Sequence, residues 1–301
     1  MQFGKGLFYA VISSATFGLI PFFAIPSIES GMSVNTVVFY RFFISVLAMA
    51  LVLAVRRTPL RISLSEYAVV WGLSVFYAAT SMLLTMSYMY IPSGTATTIH
   101  FLYPIFVTLI MILLFRESGN WLIYLASLMA VVGVAFLGYS SGGRGLNAIG
   151  LTLALITVCT YGIYIVGVQK SKVHAMDGLK MTFYVMVNCT IIFFINSLVQ
   201  DGGFSSIPSP RIGIDLVLLA LVPTLISDLT LILAIQRVGS TVTAILGCME
   251  PLTAVVMGIL FLGEECRWNQ GVGISIILIA VILAISGTCL KKNHKPHASA
   301  I

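Results

Sequence analysis

The chain has 301 residues, of which 59% are hydrophobic and only 9% charged, with a mean hydropathy of +1.05. A soluble domain carries about 25% charged residues, so the composition excludes a water-soluble globular protein and indicates a polytopic membrane protein. The net charge of +6 does not point to nucleic acid, because the basic residues sit in short loops and a tail rather than in one patch, where they set topology.

Ten apolar segments bounded by Gly, Pro or charged residues are each long enough to span a bilayer. They cover approximately 6–28, 35–55, 67–89, 93–115, 121–140, 148–169, 179–199, 212–236, 240–262 and 268–290. The first is too long for a signal-peptide core and has no clear small-x-small cleavage site, so it is expected to stay attached. With the N-terminus inside, the cytoplasmic pieces hold Lys5, Arg56, Arg57, Arg61, Arg116, Lys170, Lys172, Lys180, Arg237, Lys291, Lys292 and Lys295. The outside holds Arg144, Arg211 and Arg267. This bias predicts that both termini are cytoplasmic. The tail KKNHKPHASAI is short and basic, and is expected to be a disordered topology anchor or, as the weaker option, a lipid headgroup contact.

Shifting the chain by 144 aligns Gly6 with Gly150, Ala10 with Ala154, Thr16 with Thr160, Gly18 with Gly162, Phe39 with Phe183 and Tyr40 with Tyr184. Further on, a shift of 147 aligns Ser93 with Ser240, Pro104 with Pro251, Glu117 with Glu264 and Trp121 with Trp268. Two five-helix halves follow, 1–142 and 143–290, with the tail at 291–301. Because five is odd, the second half starts on the opposite side of the membrane, so the predicted fold is all-α with two inverted repeats. That design places a site near the midplane in secondary transporters.

The ninth segment carries Glu250 beside Pro251 near the middle of a helix about 34 Å long. A charge at that depth is costly and usually faces a protein-lined or watery interior. Glu250 is therefore the first candidate for a translocation pathway, against the alternative of a protonated acid that only ties helices together. In the fourth segment Ser93, Thr97, His100, Tyr103 and Thr108 form one polar stripe, and the repeat sets Glu250 opposite Tyr103 and Gly247 opposite His100. His100 is either a substrate or proton ligand or a satisfied hydrogen-bonding residue. Asp228 lies about 12 Å from the cytoplasmic end of the eighth segment, with Thr224 one turn before it, and aligns with Ser81. It either contacts solute or bridges helices as a neutral acid. Arg41, in FYRFF, is expected to snorkel to the outer surface, or to pair with Glu250 if the second and ninth segments are neighbours. In the first and sixth segments Thr16 and Phe17 match Thr160 and Tyr161, which suit close packing or stacking on a solute. Pro21, Pro104, Pro223 and Pro251 are predicted kinks or hinges.

The five cysteines show no C-x-x-C spacing, so neither a disulfide framework nor a metal site is indicated. There is no H-E-x-x-H, G-x-S-x-G, Walker A or Rossmann fingerprint. An enzyme and a cofactor are not expected, and any energy must come from gradients.

The sequence resembles the EamA-type permeases of the drug/metabolite transporter superfamily over residues 5–290. The resemblance rests on the paired signatures YPIFVTLIMILLFRE (Tyr103 to Glu117) and EPLTAVVMGILFLGE (Glu250 to Glu264), and on FYRFF around Arg41. It implies ten helices in a bacterial cytoplasmic membrane, a central cavity, and export of amino acids, including aromatic ones, or of other small metabolites. It also implies that Arg41, Glu117, Glu250 and Glu264 belong to a common pattern, whereas His100 and Asp228 are particular to this chain. The first repeat reads Arg116-Glu117 where the second has Gly263-Glu264.

The function expected is therefore a secondary transporter that exports small amphipathic metabolites, with a solute and the bilayer as partners and a possible proton coupling. Tyr77, Tyr103 and Tyr161 would supply aromatic walls, His100, Ser81 and Asp228 polar contacts, and Glu250 a protonatable group. An importer of a vitamin-like or sugar-like solute is the alternative, and a membrane-embedded sensor or accessory subunit the reading from another class.

Overall fold

The computed structural model describes residues 2–91, 93–116, 121–138, 147–261 and 268–293, and these are helical with short connections. Glu117, Glu264, Arg144, Arg267 and the tail beyond residue 293 lie outside the described residues. The helices are α1 (Gln2–Phe17), α2 (Ile20–Glu29), α3 (Val34–Arg56), α4 (Leu64–Ser87), α5 (Ser93–His100), α6 (Tyr103–Leu113) and α7 (Trp121–Gly138). They continue as α8 (Ala148–Lys170), α9 (Gly178–Gln200), α10 (Pro210–Ala220), α11 (Ser227–Val238), α12 (Ser240–Leu246), α13 (Met249–Phe261) and α14 (Trp268–Asn293). Among the described residues seven stretches are long and apolar enough to cross a membrane, and Trp121–Phe136 and Gly271–Gly287 are shorter apolar helices.

Local chemistry sets the boundaries. Ser33, Asn147 and Ser209 cap α3, α8 and α10, and Ser63 with Glu66 closes a reciprocal capping box that starts α4 ahead of the expected residue 67. At the C-terminal end α14 runs through Lys291 and Lys292 to Asn293, so the tail begins as helix rather than at residue 291.

Four of the expected segments are not continuous helices. The first breaks at Gly18–Leu19, the fourth at Phe101–Leu102 and the ninth at Gly247–Cys248, while the eighth widens into a π turn over Leu221–Ile226. Proline accounts for the placement: Pro21, Pro104 and Pro251 sit in the first turns of α2, α6 and α13, where a missing N–H costs nothing, and Pro223 lies within the π turn.

The helices pair as a twofold repeat requires. α1 packs on α11 and α4 on α8, which the repeat exchanges, while α3 packs on α9 and α7 on α14, which it maps onto themselves. One pair of close approaches repeats residue for residue. A methyl group at Gly6 would come within 2.6 Å of Val238 and 2.8 Å of Arg237, and one at Gly150 within 2.9 Å of Ile91 and 2.8 Å of Tyr90. Shifts of 144 and 147 carry the first set onto the second.

α3 shows how each helix divides between interior and lipid. Arg41, Ser45, Met49 and Leu53, four residues apart, are buried, whereas Phe43, Leu47, Leu51 and Val55 are exposed. The second stripe is the lipid-facing one.

Candidate functional site

The breaks in the first, fourth, eighth and ninth segments meet at the centre of the bundle. Gly18 lies directly against the backbone carbonyl of Glu250, and Gly247 leaves room for the hydroxyl of Tyr103. Around this junction the structure collects all the residues singled out from the sequence as aromatic walls and polar contacts.

The first cluster is built on Arg41. It is 2% exposed and turns inward, not to the outer surface as the sequence position suggested. The reason is its membership of the buried stripe of α3. Its Nε donates to Thr224 Oγ1 at 2.6 Å and its Nη1 to Ser81 Oγ at 3.2 Å. The guanidinium also stands over the rings of Phe42 and Phe17, 5.2 and 5.7 Å from their centroids. Bonds to a charged group contribute about 1.5–3 kcal/mol each, and a desolvated cation–π contact about 2 kcal/mol. Thr224 passes its own proton to the Leu219 carbonyl at 2.7 Å, an i−5 bond that fits the π turn. Ser45 Oγ lies 2.7 Å from both the Arg41 carbonyl of its own turn and the Ala220 carbonyl and shares its one proton between them, which ties α3 to the start of that turn.

Asp228, fully buried, accepts a hydrogen bond from the hydroxyl of Tyr77 on its Oδ1. The supports are interlaced. Tyr77 and Ser81 are one turn apart on α4, Thr224 and Asp228 are one turn apart on the eighth segment, and the shift of 147 superposes the two pairs. Tyr77 holds Asp228, while Ser81 and Thr224 hold Arg41. The Tyr77 ring contacts that of Tyr164, 4.8 Å away between centroids.

The second cluster surrounds His100. Thr157 has a single hydroxyl proton and donates it to the Ala154 carbonyl at 2.5 Å, so the bond between Thr157 Oγ1 and His100 Nδ1, 2.7 Å, is donated by the ring. In the neutral imidazole that leaves Nε2 as a buried acceptor, and it has no partner among the described residues. The His100 ring lies 5.2 Å from both Tyr103 and Tyr161, which meet edge to face at 4.8 Å. Tyr161 in turn stacks on Tyr164 at 6.4 Å and on its repeat partner Phe17 at 6.1 Å. One aromatic wall therefore joins the two clusters.

Glu250, 5% exposed, opens α13 at this junction. Arg41, Tyr88, Tyr103 and Tyr161 are its electrostatic neighbours, but the hydrogen bonds of Arg41 go to hydroxyls, not to Glu250. Two residues of the site, Tyr164 and Thr157, escaped the sequence reading, and the inward turn of Arg41 entered it only as the alternative of a pair with Glu250. Each carried a signal, since Tyr164 is one turn from Tyr161, Thr157 is the repeat partner of Ser13, and Ser45 marks the buried side of Arg41. Ser13 itself exchanges hydrogen bonds with Ser227, both 2.9 Å, to lock α1 on α11.

These features define a helical membrane protein of two repeats whose broken helices converge on a buried aromatic and charged centre. The chain matches the EamA-like transporter family over residues 4–139 and again over 148–286, and it belongs to that family. A protein of Synechocystis sp. (strain ATCC 27184 / PCC 6803 / Kazusa) named as an uncharacterized transporter is 26% identical over 206 residues, which are 67% of this chain and 61% of that protein. The chain thus spans about three fifths of the length of that relative. The crystal structure of another protein shares the fold with a TM-score of 0.79 at 13% identity, covering 94% of this chain and 97% of the other.

Proposed function

We propose that the chain is a secondary transporter that exports small amphipathic solutes, amino acids foremost, by alternating access across a bacterial cytoplasmic membrane. In this reading ten spans form two inverted halves with both termini inside, and the halves rock about the breaks at Pro21, Pro104, Pro223 and Pro251. The observation that carries it is the convergence of four interrupted helices on one buried centre lined by rings and by side chains of both charges. Interrupted helices at a repeat interface are where transporters bind solute, and buried ionisable groups in a membrane mark pathways. The direction of transport and the amino-acid class follow the family resemblance.

Glu250 is the proton-linked group in this reading. Arg41 is the charge facing it, and Tyr88, Tyr103 and Tyr161 are the titratable neighbours. Purified protein in liposomes loaded with radiolabelled amino acids should release them faster when a pH gradient is imposed. Glu250→Gln, which keeps shape and hydrogen bonding, should leave flux that no longer responds to the gradient. Absence of flux for amino acids, vitamins and sugars alike would overturn the transport reading; an unchanged gradient response in Glu250→Gln would make Glu250 structural.

A further inference from the structure

Two oppositely charged side chains in the centre are each only half used. Arg41 engages Thr224 and Ser81 through Nε and Nη1, but its buried Nη2 has no acceptor among the described residues. Asp228 uses Oδ1 for the Tyr77 hydroxyl, and its buried Oδ2 has no donor among the described residues. Their residues are 2% and 0% exposed. Neither satisfies the other: although Arg41 is an electrostatic neighbour of Asp228, both are held by hydroxyls on interlaced turns of α4 and the eighth segment. Buried polar atoms are nearly always partnered, and here an unpartnered N–H of a guanidinium and an unpartnered carboxylate oxygen belong to side chains that are electrostatic neighbours.

We propose that Arg41 and Asp228 form a zwitterion clamp, with Arg41 Nη2 receiving the carboxylate of the solute and Asp228 Oδ2 its ammonium. The proposal rests on the transport reading above and assigns the two charge-recognising positions of that site. The rings of Tyr161, Tyr103 and His100 then take the apolar remainder of the solute, since Tyr164 and Tyr161 carry the aromatic wall from Asp228 toward His100. A solute with an ammonium alone satisfies Asp228 but leaves Arg41 Nη2 unpaired, and one with a carboxylate alone does the reverse. Leaving a buried polar group unpaired is what gives such sites their discrimination. The chemistry therefore selects molecules that carry both an ammonium and a carboxylate, and Arg41 becomes a binding residue instead of a helix tie.

The test is equilibrium binding of a matched set to the purified full chain: phenylalanine, phenethylamine, which lacks the carboxylate, and 3-phenylpropionate, which lacks the ammonium. Wild-type protein should bind phenylalanine at least about tenfold more tightly than either. Arg41→Gln should weaken phenylalanine to the level of phenethylamine while leaving phenethylamine little changed. Asp228→Asn should weaken phenylalanine to the level of 3-phenylpropionate and spare that acid. Tyr77→Phe, a milder change that releases Asp228 from its hydroxyl, should weaken phenylalanine and phenethylamine but not the acid. Equal wild-type affinity for all three probes overturns the clamp without any variant having to fold, as does a uniform loss across the set in the variants. Flux of the same probes in liposomes separates the two claims. Wild-type protein that moves solutes without preferring the zwitterion sinks the clamp and keeps transport, whereas tight, selective binding without flux of any probe sinks the transport reading and keeps the clamp.

Discussion

Gly18→Ala probes the junction on which the site depends. A methyl group at Gly18 would overlap the carbonyl oxygen of Glu250 and lie 3.1 and 3.3 Å from its carbonyl carbon and Cα. These are backbone atoms in the first turn of α13, so no rotamer change can relieve the overlap and the two broken helices must part. Overpacking of this kind costs about 1–3 kcal/mol, which for a chain of this size lowers the thermal midpoint by roughly 2–5 °C. The repeat supplies the control. At Gly162, the partner of Gly18, the added methyl meets the Phe106 ring and Val107 side chain instead, and these can rotate away, so Gly162→Ala should cost less. Gly72 in α4 has nothing within 4 Å, and Gly72→Ala should gain about 0.5–1 kcal/mol of helix stability. Thermal unfolding of the three variants in one detergent, followed by flux in liposomes, gives the order Gly72→Ala, Gly162→Ala, Gly18→Ala from most to least stable, with flux lost first in Gly18→Ala. If Gly18→Ala is as stable and as active as Gly72→Ala, the breaks in the first and ninth segments do not touch as described, and the central site loses its frame.

Two further outcomes follow from the same geometry. Gly6→Ala and Gly150→Ala meet equivalent side chains at nearly equal distances, so their thermal midpoints should fall by similar amounts; a large loss in one alone would argue against twofold packing. Thr157→Val removes the acceptor of the His100 Nδ1 proton and leaves a buried donor unsatisfied, at a cost of about 1–3 kcal/mol. It should also free the ring to turn, so the preference among solutes with and without a donor on the side chain, such as tryptophan against phenylalanine, should shift, and equal ranking in wild type and variant would show that His100 is only a packing residue.

Much of the fold was legible because packing positions and site positions obey different rules. Where two helices must approach closely only glycine or a small residue fits, and a twofold architecture demands the same solution twice; hence Gly6 with Gly150 and Gly18 with Gly162 survive as visible register in the sequence. Pro21, Pro104 and Pro251 sit in helix first turns, where a missing N–H is tolerated, and Pro223 in a widened turn, whereas Pro26 lies inside α2 without a break, so proline alone does not locate the interruptions. What the sequence did not disclose is direction across a helix from a single residue. Arg41 has an apolar neighbourhood in FYRFF, and its depth alone allowed snorkelling outward; only the stripe Arg41, Ser45, Met49, Leu53 against Leu47, Leu51, Val55 places it inward. Thr157 and Tyr164 were overlooked because a hydroxyl and a tyrosine in an apolar run read as packing until their partners, His100 and Tyr77, are brought from other helices.

The same comparison explains how a symmetric scaffold acquires a polar, chemically uneven centre. At the interior positions the repeats diverge: Arg41 faces Val185 in the alignment, Tyr77 faces Thr224, Ser81 faces Asp228, His100 faces Gly247 and Tyr103 faces Glu250. Each exchange matters physically. Gly247 makes room for the Tyr103 hydroxyl that its own repeat partner, His100, could not have left free, and the pair Ser81 and Asp228 gives Arg41 a neutral support and a charge across the site in place of two competing carboxylates. Two identical halves would put either two acids or none beside the guanidinium. Retaining symmetry in the glycines preserves the same close helix packing in both halves, and breaking it at these five pairs concentrates both signs of charge at one centre.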